Sequence, residues 1–204
     1  MSTPASAENV AHFTTNVVIY RQPIFTRSWA ANILIENLRF YQQKYAFRLI
    51  GYLIMPDHLH SIVWPQPGTA IGAIMRDFKK FAAVAIIEAL NQHLGTSPQA
   101  EAATAGPPSV WRQNQAVPAP ADMLSAFAYA GRHFRKTRHK IWQDDFHSTV
   151  LWSPNVMRQK LRYIHNNPMR WGLVDRPEDW LYSSYRALEL GETGPLTLDA
   201  SWAL

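Results

Sequence analysis

Phe47-Arg-Leu-Ile-Gly-Tyr-Leu-Ile-Met-Pro-Asp-His-Leu-His-Ser-Ile-Val-Trp64 is the stretch around which the rest of the chain organises. Its first half, Phe47 to Met55, is a near-continuous apolar run of the kind that suits a buried strand. Pro56-Asp57 is a turn signal, because proline presets φ and aspartate bonds its own backbone. His58 to Trp64 then reads as a second strand, antiparallel to the first.

The flanks extend this hairpin in both directions. Upstream, Phe13 to Ile19 is rich in β-branched residues and reads as a strand. Ser28 is placed to cap a helix over Trp29 to Tyr45, with Ile33, Leu34, Asn37, Leu38 and Tyr41 on one broad face. Downstream, Ile71 to Leu90 has a helical pattern, with Arg76, Lys79 and Lys80 on its polar side. From about Gln92 to Pro120 the composition turns to Ala, Pro, Gln, Thr and Gly, which offers little apolar surface to offset its ordering entropy. Met123 to Arg135 recovers a helix and Thr149 to Trp152 a short strand. Ser153-Pro154 opens another helix, predicted to stop near Asn166 because Pro168 restricts the residue before it. The order strand, helix, strand, strand, helix, strand is that of an α+β, ferredoxin-like split βαβ sandwich with an antiparallel sheet. The chain from Gly172 to Leu204 reads as irregular wrapping structure, and the domain is expected over 10–186, with an Ala/Pro-rich insertion at 92–120 and a tail at 187–204 to which the sequence assigns no structure.

Composition narrows the chemistry. The chain has 204 residues, with 20 Lys+Arg against 15 Asp+Glu, for a net charge of +5, and it has no cysteine. A disulfide scaffold, a cysteine-ligated zinc site and a thiol nucleophile are therefore excluded. An apolar fraction of 47% with 17% charged residues excludes a fully disordered chain. No run approaches the roughly 20 apolar residues of a spanning helix, and Met1 to Asn9 lacks the pattern of a secretion signal. The expectation is a soluble, cytoplasmic protein. Its modest basic excess is compatible with a polyanionic partner.

Three groups of residues carry potential chemistry. On a strand, His58 and His60 project from one face with Leu59 between them facing away. Two neutral imidazoles so placed can hold a divalent ion if a third ligand comes from elsewhere. The plain alternative is two histidines hydrogen-bonded at a strand edge. In the helix after Pro154, Met157, Leu161 and Ile164 form the buried stripe, Tyr163 lies off its centre, and Asn167 follows one turn later on the tyrosine's side. The plain alternative there is a boundary tyrosine covering the core. Finally, Gly131-Arg-His-Phe-Arg-Lys-Thr-Arg-His-Lys-Ile-Trp142 gathers Arg132, Arg135, Lys136, Arg138 and Lys140, with Phe134 and Trp142 able to stack on unpaired bases. A solvated basic face accounts for the same charges. No Walker loop, G-x-S-x-G or zinc-finger spacing occurs, which argues against a nucleotide cofactor.

Taken together, these blocks resemble a known family. Gly51 to Trp64 is similar to the segment of single-strand HUH transposases in which two histidines flank a hydrophobic residue. Met75-Arg-Asp-Phe-Lys-Lys-Phe81, Ile141-Trp-Gln-Asp-Asp-Phe-His147, Lys160-Leu-Arg-Tyr-Ile-His-Asn-Asn-Pro168 and Trp171 to Tyr185 match further blocks in the same order. The resemblance spans about residues 13 to 186 and is nearest to the REP-associated tyrosine transposases within the IS200-like group.

The resemblance implies an enzyme that cleaves and rejoins single-stranded DNA beside palindromic, REP-like hairpins. It implies Mg²⁺ or Mn²⁺ on His58, His60 and Asn167, and Tyr163 as a nucleophile that leaves a 5′-phosphotyrosine and a free 3′-hydroxyl. His165 is read as structural or DNA-facing. Arg76, Lys79, Lys80, Arg132, Arg135, Lys136, Arg138 and Lys140 are the candidate phosphate contacts. Relatives include monomers and homodimers, and both remain open. The main alternative is an inactive, domesticated relative that binds structured DNA without cutting it. A metal-dependent phosphohydrolase with no covalent step and an RNA-binding ferredoxin-like module are the others.

Overall fold

The computed structural model describes residues 10–95, 117–135, 137–144 and 146–203. Four strands, β1 (Ala11–Val17), β2 (Arg48–Met55), β3 (His58–Trp64) and β4 (His147–Leu151), form one sheet in the order β2-β3-β1-β4. Every neighbouring pair is antiparallel. Helix α1 (Ser28–Tyr45) joins β1 to β2, and α2 (Ile71–Gln92) follows β3. This is the ferredoxin-like arrangement expected from the sequence. Helix α3 (Pro120–Ala130) adds to the α1/α2 layer, whereas α4 (Pro154–Arg170) covers the opposite face. A short α5 (Tyr185–Glu189) follows.

Two apolar clusters, one on each face, explain why β2 reads as unbroken hydrophobic sequence. Leu49, Tyr52 and Ile54 face α1 and α2, while Ile50, Leu53 and Met55 face α4. The register slips between Leu49 and Gly51, a bulge that turns both Ile50 and Gly51 toward α4. A Cβ on Gly51 would stand 2.4 Å from Leu161 Cδ2, so the missing side chain lets α4 lie directly on the sheet. That contact sets the height of α4, and with it the height of everything α4 carries.

Several boundaries differ from expectation for identifiable reasons. Ser28 is the first residue of α1 and not its cap; Arg27 holds the cap position without a side-chain cap bond. Helix α1 ends where Ala46 turns left-handed at φ 50°. Helix α3 begins at Pro120, and the expected helical segment beyond Ala130 widens into a π-type turn over Gly131–Arg135. Most of the Ala/Pro-rich stretch, residues 96–116, lies outside the described residues.

The largest correction concerns α4, which does not stop before Pro168 but continues through it to Arg170. Proline there removes one amide donor from the last turns. The true stop is Gly172, left-handed at φ 66°. Leu173 N–H bonds Pro168 C=O at 2.9 Å and Gly172 N–H bonds Met169 C=O at 2.9 Å, the paired bonds of a Schellman ending.

The C-terminal segments seal the open side of β2. Ile54 N–H donates to Tyr182 C=O, Ser184 N–H to Tyr52 C=O and Asp199 N–H to Leu49 C=O. Arg48 pairs with Asp199, and Arg39 and Gln42 donate to the carbonyls of Pro195 and Thr197. Leu196 is buried against α1 and the sheet. Among the described residues, no helix is long and apolar enough to cross a membrane.

Candidate active site

Alternation along β3 sends Leu59 into the α1/α2 layer and puts His58 and His60 on the α4 face. Both imidazoles are buried, at 4% and 5% exposure, and their Nε2 atoms face each other at 3.2 Å. Each Nδ1 has its own partner. His58 Nδ1 donates to Asp57 Oδ1 at 2.5 Å, and His60 Nδ1 lies 2.9 Å from Thr15 Oγ1 on the neighbouring strand. Asp57 is in turn held by Arg21 Nη1 at 3.1 Å. Outer partners on Nδ1 fix the ring orientations and leave the two Nε2 atoms converging on one point.

Burial also sets the protonation of this pair. Desolvation first, and then the neighbouring His58, pushes His60 down to about 3, so it stays neutral near pH 7. For Asp57, burial alone works upward. The hydrogen bonds and charges of His58 and Arg21 together outweigh it and hold the carboxyl below the usual carboxylate range.

Helix α4 delivers the tyrosine. Ser153 Oγ accepts Val156 N–H and Pro154 starts the helix, as the sequence predicts. Met157, Leu161 and Ile164 are buried toward the sheet, which leaves Tyr163 at its flank, 38% exposed. The phenol ring sits edge-on to His60 at 5.9 Å between centroids and edge-on to Phe13 at 6.1 Å. Lys160 Nζ lies 5.4 Å and Arg170 Cζ 5.7 Å from the centroid of the Tyr163 ring.

Asn167 is buried and one helical turn beyond Tyr163. One turn further, the Trp171 ring is 6.2 Å from that of His58. Tyr163, Asn167 and Trp171 thus form one stripe that runs along the two histidines, with Asn167 between the ends. His165 points elsewhere: its Nε2 meets Ser184 Oγ at 2.9 Å, and that hydroxyl also accepts Tyr52 N–H. Desolvation pushes His165 down to about 4, so its ring stays neutral near pH 7.

These residues fit a divalent ion by one direct test. The 3.2 Å separation of the Nε2 atoms is close to the ~3 Å between adjacent ligands on an octahedral ion with bonds of about 2.1 Å. Among the described residues, no group of three His, Cys, Asp or Glu side chains is gathered to hold a metal. A third protein ligand would therefore be of another type, which an asparagine oxygen can supply.

The candidate phosphate contacts divide in two. Arg76, Lys80, Arg132 and Arg138 are exposed. Lys79 instead donates from Nζ to the carbonyls of Gln143 at 2.7 Å and Asp144 at 3.2 Å. Lys140 is buried, 2.6 Å from Asp144 Oδ2, with its Nζ 5.2 Å from the Phe134 ring centroid. These two lysines brace the 140–144 loop and are not displayed with the others. The Arg135 side chain and Lys136 lie outside what is described.

Sequence reasoning missed Asp57, Thr15 and Lys160. Asp57 was legible only as a turn residue, and Thr15 needed the cross-strand register, which pairs it with His60. Lys160 had a usable signal, since it precedes Tyr163 by three residues on the same helix.

Comparison with known proteins adds to this geometry. Residues 8–99 match the family model described as Transposase IS200 like. A solved structure, the REP-associated tyrosine transposase bound to a REP hairpin, is 16% identical with a TM-score of 0.56, covering 98% of this chain and 91% of that one. A crystal structure of a candidate transposase from Deinococcus radiodurans R1 is also 16% identical, with a TM-score of 0.41, covering 81% of this chain and 96% of that one. At such identity the first likeness concerns the fold. No curated protein matches. The matched span runs from β1 through α2 and contains both histidines together with the Asp57, Arg21 and Thr15 that orient them, so over this part, a little under half of its length, the chain is similar to the IS200-like transposases.

Proposed function

We propose that this chain cleaves and rejoins single-stranded DNA beside hairpins, with Tyr163 as nucleophile and a divalent cation held by His58, His60 and Asn167. The observation that carries the reading is the convergence of two buried, oriented Nε2 atoms beside an accessible phenol that nothing in the fold requires to be there. A tyrosine of ordinary pKa ~10 is a weak nucleophile at pH 7. When bound, the cation supplies the charge that makes the phosphodiester a better electrophile. Lys160 and Arg170 place positive charge beside the ring, where non-bridging phosphate oxygens would gather.

In the first step Tyr163 Oη attacks phosphorus and the bond from phosphorus to the 3′-oxygen breaks. The departing oxygen leaves as a 3′-hydroxyl, the phenol gives up its proton, and the 5′ side stays on the enzyme as a phosphotyrosine. The 3′-hydroxyl of another strand reverses the step, which restores the tyrosine and needs no nucleotide cofactor. The fold neighbour was solved with a REP hairpin, and a hairpin foot is the substrate we extend to this chain.

The test is cleavage of labelled hairpin oligonucleotides with single-stranded flanks, taken from DNA next to the gene, with Mg²⁺, Mn²⁺ or EDTA. A protein–DNA adduct that needs the metal and vanishes in Tyr163→Phe is expected. Mn²⁺ should outperform Mg²⁺, since imidazole suits softer ions. Cleavage that survives Tyr163→Phe would remove the tyrosine mechanism, and tight binding without any adduct would favour the inactive DNA-binding alternative.

A further inference from the structure

Beyond β1 the chain makes a turn that is costly and has no packing reward. Tyr20 and Arg21, neither of them glycine, are both left-handed, at φ 53° and 50°. In that conformation the Cβ crowds the following carbonyl oxygen, so side chains rarely adopt it. Tyr20 is nevertheless 45% exposed, so burial of its ring does not offset the strain. The turn is pinned at its base: Val18 N–H bonds Asp57 C=O at 2.9 Å, Ile19 N–H bonds Ile141 C=O at 2.6 Å, and Arg21 reaches the Asp57 carboxylate. Tyr20 therefore stands at the end of the sheet where His58 lies, one residue from the guanidinium that supports it.

A second exposed tyrosine meets it there. Tyr129, on the last turn of α3 and 49% exposed, has its ring centroid 6.5 Å from that of Tyr20. His133 stacks on Tyr129 at 3.9 Å with an interplanar angle of 27°. The three rings form a row that starts at the end of the sheet where His58 lies and leads away along the α3 side. The turn that carries His133 folds back on itself: Thr137 N–H bonds Gly131 C=O at 3.1 Å, and a Cβ on Gly131 would come within 2.6 Å of the Thr137 carbonyl oxygen. Only glycine permits that closure, which draws Arg132 and Arg138 together. Both depress the His139 pKa through their charge, after burial, and both are exposed. Exposed rings flanked by exposed guanidiniums are the two components of a single-strand binding groove.

We propose that Tyr20, Tyr129 and His133 form a stacking row for unpaired bases of the strand whose phosphate lies at His58 and His60, with Arg132 and Arg138 on the adjoining phosphates. This rests on the single-strand DNA reading above. It adds where the unpaired bases go, and it explains why a strained, exposed tyrosine is kept next to the site.

The experiment is fluorescence anisotropy with the full chain and three probes: a hairpin with a natural single-stranded flank, the same hairpin with an abasic flank, and the hairpin without a flank. Wild type should prefer the natural flank over the abasic one by about 10-fold for each base stacked. The Tyr20→Ala/Tyr129→Ala pair should lose that preference with an unchanged salt slope, because no phosphate contact is removed. Tyr20→Phe/Tyr129→Phe should keep it. Equal wild-type affinity for natural and abasic flanks, or a preference that survives the alanine pair, overturns the proposal. If wild type binds none of the probes, the single-strand reading itself fails and takes this one with it. If the alanine pair instead shifts the protein's elution volume and weakens all three probes alike, the rings are a contact between copies of this chain and the proposal is wrong. Photocrosslinking of wild type to 5-iodouracil in the flank checks the same rings without relying on a variant's folding; crosslinks that map only elsewhere overturn it.

Discussion

The two faces of one sheet are built from the same strands to different ends. Toward α1 and α2, Leu49, Tyr52, Ile54, Leu59 and Val63 meet apolar helix residues, and the few polar groups among them, the Thr14–Ser61 hydroxyl pair and Asn16, are tied to one another or to Met75. Toward α4, the apolar floor of Ile50, Leu53 and Ile62 gives way to Thr15, His58 and His60, each with a directional partner. The α4 face accepts fewer side chains at His58 and His60, because both imidazoles are buried and their hydrogen bonds are specific. Stability and chemistry are thus separated by one residue along β3.

The sharpest way to break the comparison is to mutate neighbours on that strand. His58→Ala or His60→Ala should abolish adduct formation, a loss above about 1,000-fold, in protein that still folds. Leu59→Ala, which empties a fully buried site on the opposite face, should cost about 2–5 kcal/mol in urea unfolding. Its activity should persist wherever the protein remains folded. If Leu59→Ala removed activity in fully folded protein, or the folded histidine variants kept theirs, the two faces would not be separate.

A second measurement concerns the seam where α4 meets β2. His165 is held at about 4 in the folded protein against 6.5 in the unfolded chain. Above pH 6.5 the ring is neutral in both states and contributes no pH dependence. As pH falls toward 4 the unfolded state takes up the proton first, so stability drops, by roughly 2 kcal/mol between pH 7 and 5. His60, also depressed, acts in the same direction. Urea unfolding in EDTA should show His165→Gln with a shallower slope over this window than wild type. An unchanged slope would mean that His165 is not buried neutral.

Asp57 separates orientation from ligation. Replacing the carboxylate by an amide in Asp57→Asn keeps the shape but weakens the hold on His58, so Mn²⁺ affinity should fall by about 10- to 100-fold. Protein stability should also fall somewhat at pH 7, because the carboxylate that His58 and Arg21 favour is lost, so affinity is read on folded protein. Isothermal titration with Mn²⁺ reads this directly, and an unchanged affinity would reduce Asp57 to a turn residue.

How much of this was legible in the sequence depends on the range of the interaction. The β2–β3 hairpin, the facing of His58 with His60, and the spacing of Tyr163 to Asn167 follow from local periodicity, and the structure has them where expected. The end of α4 was misread because the penalty at Pro168 is local and partial, whereas the bonds closing at Gly172 and Leu173 determine the stop. Thr15 and Ser184 act through partners on other strands or far along the chain, as does Asp57 in its pairing with Arg21, and no window of neighbouring residues displays these links. The edge pairing of β2 by Tyr182, Ser184 and Asp199 escaped for the same reason.

The smallest expected effect tests the division among the cations, which composition alone cannot make. Arg138 is exposed, whereas Lys140, two residues on, is turned inward onto Asp144 and the Phe134 ring. If free charge is what meets DNA, Arg138→Ala should weaken hairpin binding severalfold and reduce the salt slope by about 1. Lys140→Ala should leave the slope unchanged and instead loosen the 140–144 loop, since the Asp144 carboxylate loses its buried partner. A salt slope that falls equally in both variants would show that Lys140 leaves its pocket for phosphate, and that the lysine inside is part of the DNA surface after all.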